Sequence, residues 1–218
     1  MFHVGDIIRD FKIKGQRTLI IDEKEKVSRK EPLFLIMDAR KLDLPNDLYD
    51  FVVTSPPYLN RYDYTRIYAI EMGLLGISDE EIKSLRKNTI KSHVEAEYKN
   101  CLEMKSSIFD RSYEELLSSK LSNPQIPEMA KGYYNDLACN LCELKRVVKK
   151  GGIISFVVGN SRFSGIHFET DSILAEIGEN IGLKVKEIIV TKLRGSSAQQ
   201  IRMYGDAQLR ESIVTFQV

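Results

Sequence analysis

The chain is expected to fold as a layered α/β domain, and three observations predict it. Short, continuous apolar runs of strand length recur along the 218 residues. Segments with apolar residues at helical spacing lie between them. A content of 43% hydrophobic and 29% charged residues suits one domain, residues 1–218, with a sizeable core.

Residues 1–30 are polar with two short apolar runs, Phe11–Lys14 and Thr18–Ile21, and Lys14-Gly15-Gln16 between them is a possible hairpin turn. Glu23 to Lys30 is charge-rich and expected to be exposed. Leu33–Met37 reads as a strand ending in Asp38-Ala39-Arg40, and Asp50–Thr54 as a strand ending in Ser55-Pro56-Pro57-Tyr58. Residues 78–131 are long, charged and helix-prone, and end in Asn123-Pro124-Gln-Ile-Pro127, which reads as a helical insertion rising off the sheet. A helix is expected over Tyr133–Lys149. A strand follows Gly151-Gly152 over Ile153–Val158, and a second helix spans Asp171–Ile181 with Gly182 as its stop. Lys186–Thr191 and Glu211–Val218 supply two more strands. Strands that are apolar without alternation imply a sheet covered on both faces.

Several classes are disfavoured. A formal net charge of +1 does not announce a nucleic-acid binder by composition. No apolar run is long enough to span a bilayer, and Met1–Asp6 has neither a basic start nor an apolar signal core, so a cytoplasmic protein is expected. Cys101, Cys139 and Cys142 do not form a disulfide framework on this reading, and Cys139-x-x-Cys142 lacks a second ligand pair for zinc, so no metal is expected. His3, His93 and His167 are scattered.

The chemistry concentrates at Thr54-Ser-Pro-Pro-Tyr58, directly after a buried strand, where open α/β sheets place their active residues. Two prolines fix an extended turn and remove two N–H donors. What remains is a set of carbonyl oxygens, a hydroxyl and an aromatic face, which suits a planar exocyclic amine. Such a nitrogen is a poor nucleophile because its lone pair is delocalised into the ring. If the Ser55 hydroxyl and Pro56 carbonyl accept its N–H bonds, the nitrogen is drawn toward tetrahedral geometry and its lone pair is freed. Tyr58 would stack on the base, flipped out of its helix. As ordinary protein structure, the same four residues would be a surface turn or a polyproline ligand.

The segment Asp50-Phe-Val-Val-Thr-Ser-Pro-Pro-Tyr-Leu-Asn-Arg-Tyr-Asp-Tyr-Thr-Arg66 resembles the catalytic motif of the S-adenosylmethionine-dependent cytosine-N4 DNA methyltransferases. Leu144 to Phe163 resembles the same family's later helix and strand. So does the tail, from Ser196-Ser-Ala-Gln-Gln200 through Tyr204-Gly205 to Leu209–Val214. The resemblance covers about residues 33–76 and 133–218. It implies a Rossmann-like methyltransferase sheet, a restriction–modification enzyme and DNA as partner. It further implies that Ser55, Pro56, Pro57 and Tyr58 form the catalytic pocket, and that Asp38, with Ala39 and Thr54, holds the cofactor. Asn60, Tyr62 and Asp63 would lie at the rim. Read from its place at a strand end, Asn160 either touches substrate or only caps the turn, and Arg194, in a basic cluster of the tail, is a candidate substrate contact. A related group with Asp in the first motif position usually methylates adenine N6; Ser55 favours cytosine N4. A methyltransferase acting on an RNA base amine and a non-catalytic interaction protein are the alternatives.

Relatives of that family carry an Asp-Pro-Phe-x-Gly-Ser-Gly-Thr-type loop, whose glycines let backbone approach the cofactor closely. None of the thirteen glycines here stands in a Gly-x-Gly context. A weak substitute is Thr18–Ile21 as a further strand, with Asp22 for the ribose hydroxyls. The leading expectation is a split enzyme: a second polypeptide supplies the glycine loop and covers the apolar strand edge near residue 33. Arg86, Lys87, Lys91, Arg194, Arg202 and Arg210 are candidate phosphate contacts.

Overall fold

A computed structural model of the chain describes residues 33, 35–97, 102–121, 123–195 and 198–218. Contacts divide the chain into two compact units, Met1–Ile36 and Met37–Val218, and every named element belongs to the second. The hairpin and substitute strand expected before residue 30 lie outside the described residues.

Strand β1 is Tyr49–Thr54. Two short helices, α1 (Tyr64–Ile67) and α2 (Ala69–Leu74), follow, then α3 (Asp79–Asn88), α4 (Ser107–Ser118) and the 22-residue α5 (Ile126–Val147). Next come β2 (Val148–Gly159), the small hairpin β3 (Ser161–Phe163) and β4 (Ile166–Phe168), and α6 (Thr170–Asn180). β5 (Lys184–Arg194), α7 (Ala198–Tyr204) and β6 (Leu209–Gln217) complete the unit. The main sheet has the order β1-β2-β6-β5. β1 runs parallel to β2, whereas β6 is antiparallel to both β2 and β5. The parallel pair requires a crossover, and α5 makes the return.

Local sequence explains the helix ends. Ser78 and Glu81 form a reciprocal capping box on α3, and Ser106 caps α4. Pro127 sits in the first turn of α5, where its missing N–H costs nothing. α5 therefore starts seven residues before the expected Tyr133, inside the stretch expected to be an insertion. Gly182, at φ +82°, ends α6 as expected, and the N–H groups of Gly182 and Leu183 satisfy the carbonyls of Glu179 and Gly178.

The core lies between one face of the sheet and helices α5 and α6. Ile154, Phe156, Val158, Val214 and Phe216 point inward against Leu137, Leu141, Leu144, Ile173, Leu174 and Ile177. Tyr134 meets Phe109 edge-on and stacks near Phe168, which joins α4 and the small hairpin to the core. Gly178 lets α6 settle on the sheet: a Cβ there would lie 2.3 Å from the Phe216 ring.

Three expectations are corrected. The described residues of the 33–37 run, Leu33 and Leu35–Met37, have no regular structure; a strand needs a ladder partner, and none is formed with the described residues. The sheet is covered by helices on one face only among the described residues, because α5 and α6 pack on the same side. Phe51 and Val53, on the other face, are 56% and 62% exposed. Lastly, Cys139 is disulfide-bonded while Cys142 is a free thiol, a pairing that spacing along the chain does not reveal.

Candidate active site

Thr54 ends β1 beside Phe156 of β2, and the chain leaves the sheet as Ser55-Pro56-Pro57-Tyr58. Pro56 is buried, Ser55 exposed, and Leu59 behind them fully buried, so the turn is anchored at its back and open at its front. The Ser55 hydroxyl donates to the Val157 carbonyl at 3.3 Å. That uses its proton, and Ser55 is also a side-chain hydrogen-bond partner of Tyr58. The buried Tyr133 hydroxyl of α5 donates to the Pro57 carbonyl at 2.8 Å, and burial holds its pKa well above the ordinary tyrosine value.

The Tyr58 ring lies against Gly159, where a Cβ would come within 2.9 Å of it. The Arg194 guanidinium sits 5.1 Å over the ring centroid, and also over Gly159. Burial first, then the Glu211 carboxylate, raises the Tyr58 pKa. Arg194 approaches Glu211 at 3.7 Å. The end of β2, β5 and β6 thus converge on the tyrosine that follows β1.

A second turn lies close to α5. The Lys41 N–H donates to the Asp38 carbonyl, closing residues 38–41. Asp38 is gripped by Arg40, whose Nε and NH2 groups donate at 2.9 and 2.8 Å. Arg40 reaches on to Asp136 at 3.2 Å, and Asn140 donates to the Ala39 carbonyl at 2.7 Å. Asp136 is fully buried, and desolvation raises its pKa despite the donors Lys91 N–H and Arg40. Glu143 accepts from the Leu42 N–H, and Arg146 donates to the carbonyls of Leu42 and Leu44. Tyr133, Asp136, Asn140, Glu143 and Arg146 recur at three- and four-residue steps, one stripe of one helix. That stripe fixes both turns.

The other expected residues are placed differently. The Asn60 side chain accepts from the Tyr62 N–H, and Tyr62 is exposed at a shallow cavity of about 330 Å³ shared with Asp63 and His93. Asp63 caps α1 through Thr65 and pairs with Arg66 and Arg86. Burial opposes its ionisation, but those hydrogen bonds bring its pKa below the usual carboxylate value. Asn160 is buried and accepts from the Asp171 N–H at the start of α6. Lys87 pairs with Glu97, buried Lys91 with Glu128, and Arg210 with Asp171. Gly159, Tyr133 and Glu211 were not singled out by sequence; the helical spacing from Tyr133 to Arg146 was the available signal. Among the described residues no group of three metal-ligating side chains gathers, and no helix is long and apolar enough to cross a membrane.

No family model matches the chain. It is 38% identical over 185 residues to the Type II methyltransferase M.AvaI of Nostoc sp. strain PCC 7120, and equally to that of Anabaena variabilis, covering 78% of this chain and 38% of the relative. It is 33% identical over 211 residues to the Type II methyltransferase M.BsoBI of Geobacillus stearothermophilus, covering 84% of this chain and 42% of the relative. The chain spans about two fifths of the length of these curated relatives, and over most of its own length it is similar to Type II methyltransferases.

Proposed function

We propose that the chain carries the base-binding part of a cytoplasmic DNA methyltransferase of restriction–modification, which methylates the exocyclic N4 amine of cytosine. It works with a second polypeptide that brings the glycine-rich loop. The observation that carries this reading is the Ser55–Tyr58 turn, held at a strand end with its hydroxyl proton donated to Val157 and with the Arg194 guanidinium 5.1 Å from its aromatic ring centroid. Support comes from the Arg194 guanidinium near the Tyr58 ring, a flat group of the general shape that an extruded base presents.

The residues present fit one end of S-adenosylmethionine. Asp38 offers a half-exposed carboxylate on a turn held by Asn140, and with Ala39 and Thr54 it would hold the adenosine. Nothing among the described residues supplies a glycine loop for the other end. The cofactor, when bound, supplies a methyl group on positively charged sulfur. In this chain, the Ser55 oxygen and the Pro56 carbonyl accept the two N4–H bonds. That would localise the nitrogen lone pair toward the methyl donor; the N–C bond would form as the C–S bond breaks with its electron pair kept by the departing thioether, and the nitrogen would shed one proton to water. Tyr58 holds the ring plane, and Tyr133 keeps the turn from rotating away. The rate comes from positioning and from the fixed acceptors rather than from a covalent intermediate.

The test is methyl transfer to duplex DNA by the assembled enzyme, followed by nucleoside digestion and mass spectrometry. The expected product is N4-methylcytosine, and Ser55→Ala lowers the rate about 10²–10³-fold. Recovery of N6-methyladenine overturns the base assignment, and methylation of RNA but not DNA overturns the substrate.

A further inference from the structure

The chain that leaves Tyr58 is held by two backbone bonds: the Asn60 N–H donates to the Tyr58 carbonyl at 2.8 Å, and the Arg61 N–H to the Ser92 carbonyl at 3.1 Å. Arg61 stands at φ +67°, a left-handed conformation that is strained for a bulky side chain and that clusters at functional sites. It lines the cavity of about 330 Å³ with Tyr62, Asp63, Arg66, His93 and Glu95. The two acids there already have partners. Arg66 reaches Asp63 and Glu95 at 3.0 and 2.6 Å, and Arg86 reaches Asp63 at 2.8 Å. The Arg61 side chain has no ion pair or hydrogen bond among the described residues, so three arginines face two carboxylates and one positive charge is left over. His93 is 3% exposed and its Nε2 has no partner. A buried polar atom is almost always paired, and an exception calls for a role. Burial lowers the His93 pKa against the pull of Asp63 and Glu95, with Arg86 and Arg66 acting in the same sense as burial. At neutral pH the ring therefore brings a donor, in its Nε2–H tautomer, and no charge.

We propose that this cavity holds a backbone phosphodiester of the DNA strand, beside the extruded nucleotide, through the Arg61 guanidinium and the His93 Nε2–H. One uncompensated cation and one neutral donor match a singly charged phosphodiester. Tyr62, an exposed ring at the same cavity, favours a nucleotide over a free ion, because its face offers a neighbouring base or sugar a surface to lie on. Three residues separate Arg61 from Tyr58, a span of at most about 11 Å, so a phosphate near a base on Tyr58 is within reach of the guanidinium. Such a contact sets the register of the strand and reads no sequence. This inference rests on the function proposed above, and binding is measured separately from methyl transfer.

The probe is a short DNA duplex with one mispaired cytosine, which is easier to extrude than a paired one. Its binding to the full chain is followed by fluorescence anisotropy across a salt series. Arg61→Gln is expected to weaken binding about tenfold at low salt, equally for every flanking sequence, and to flatten the slope of log affinity against log salt by about 0.9. Lys184→Gln removes the same charge at the opposite end of β5 from Arg194 and leaves both quantities unchanged. A neutral methylphosphonate on one side of the mispaired cytosine should weaken the parent by the same factor and Arg61→Gln no further. His93→Phe deletes the donor and should lower affinity with the slope intact. His93 is buried, so circular dichroism checks that variant, while Arg61 is exposed and decides the matter alone if His93→Phe does not fold. Unchanged affinity in Arg61→Gln, a loss without a change of slope, indifference to methylphosphonate on both sides, or binding of RNA but not DNA overturns the inference. Arg61-dependent binding without methyl transfer by the assembled enzyme keeps the site and overturns the function. Transfer to DNA with binding indifferent to Arg61 does the reverse.

Discussion

On one face of the sheet Ile154, Phe156, Val214 and Phe216 are sealed under α5 and α6; on the other, Phe51, Val53 and Ile189, residues of the same chemistry, stand in solvent. The outer rows also carry Ser155, Thr215, Glu187 and Gln217, so the two faces differ in cover and in how apolar they are. The difference teaches that burial on the inner face is what stabilises the isolated chain, while the outer face contributes only when something lies on it. Substitutions therefore separate the faces by magnitude.

The largest effect is expected inside. Phe216→Ala removes a ring packed on Phe156 and on Gly178, and should cost about 3–5 kcal/mol in urea denaturation; a loss below about 1 kcal/mol would remove the inner face as the source of stability. Next is Glu176 on α6, which accepts from Ser106 and Ser107 and holds the start of α4. Those hydrogen bonds outweigh burial and lower its pKa to about 2 from an ordinary 4.5. Its contribution is present above pH 4.5 and lost as pH falls through about 2. Glu176→Ala should thus lower stability by about 1–2 kcal/mol at neutral pH, with the gap to the parent closing in acid. Tyr133→Phe deletes one buried donor and leaves the Pro57 carbonyl without it, at about 1 kcal/mol. It should also slow transfer more than it weakens DNA binding; an unchanged rate would mean the turn keeps its shape unaided. Smallest is Phe51→Ser on the outer face, within about 0.5 kcal/mol of the parent and with less aggregation. A large destabilisation there would show that the face is already covered in the lone chain.

Much of this was legible in the sequence. The runs at 50–54, 153–158, 186–191 and 211–218 all became strands, because continuous β-branched and aromatic residues bounded by turn formers leave few other solutions. The described residues of the run at 33–37 form no strand: apolar content states a preference, and a ladder needs a neighbour. Ser55–Tyr58 was legible because prolines dictate backbone locally. Asp63 and Asn160 carry residue types that suit substrate, and each accepts from a backbone N–H at a helix start, a contact that no residue type alone announces. Arg194 and Glu211 meet Tyr58 only through the antiparallel pairing of β5 with β6, which no local pattern encodes.

The stripe from Tyr133 to Arg146 has a consequence for tolerance to motion. Two turns hung from separate loops would drift independently, and their misalignments would accumulate. Here one rod spans the gap, through the Tyr133 hydroxyl on Pro57 and through Asn140 and Arg146 on residues 39–44, while β2 and Arg194 hold Ser55 and Tyr58 from the other side. A change in the distance between the two turns would therefore have to bend α5 or break one of these bonds.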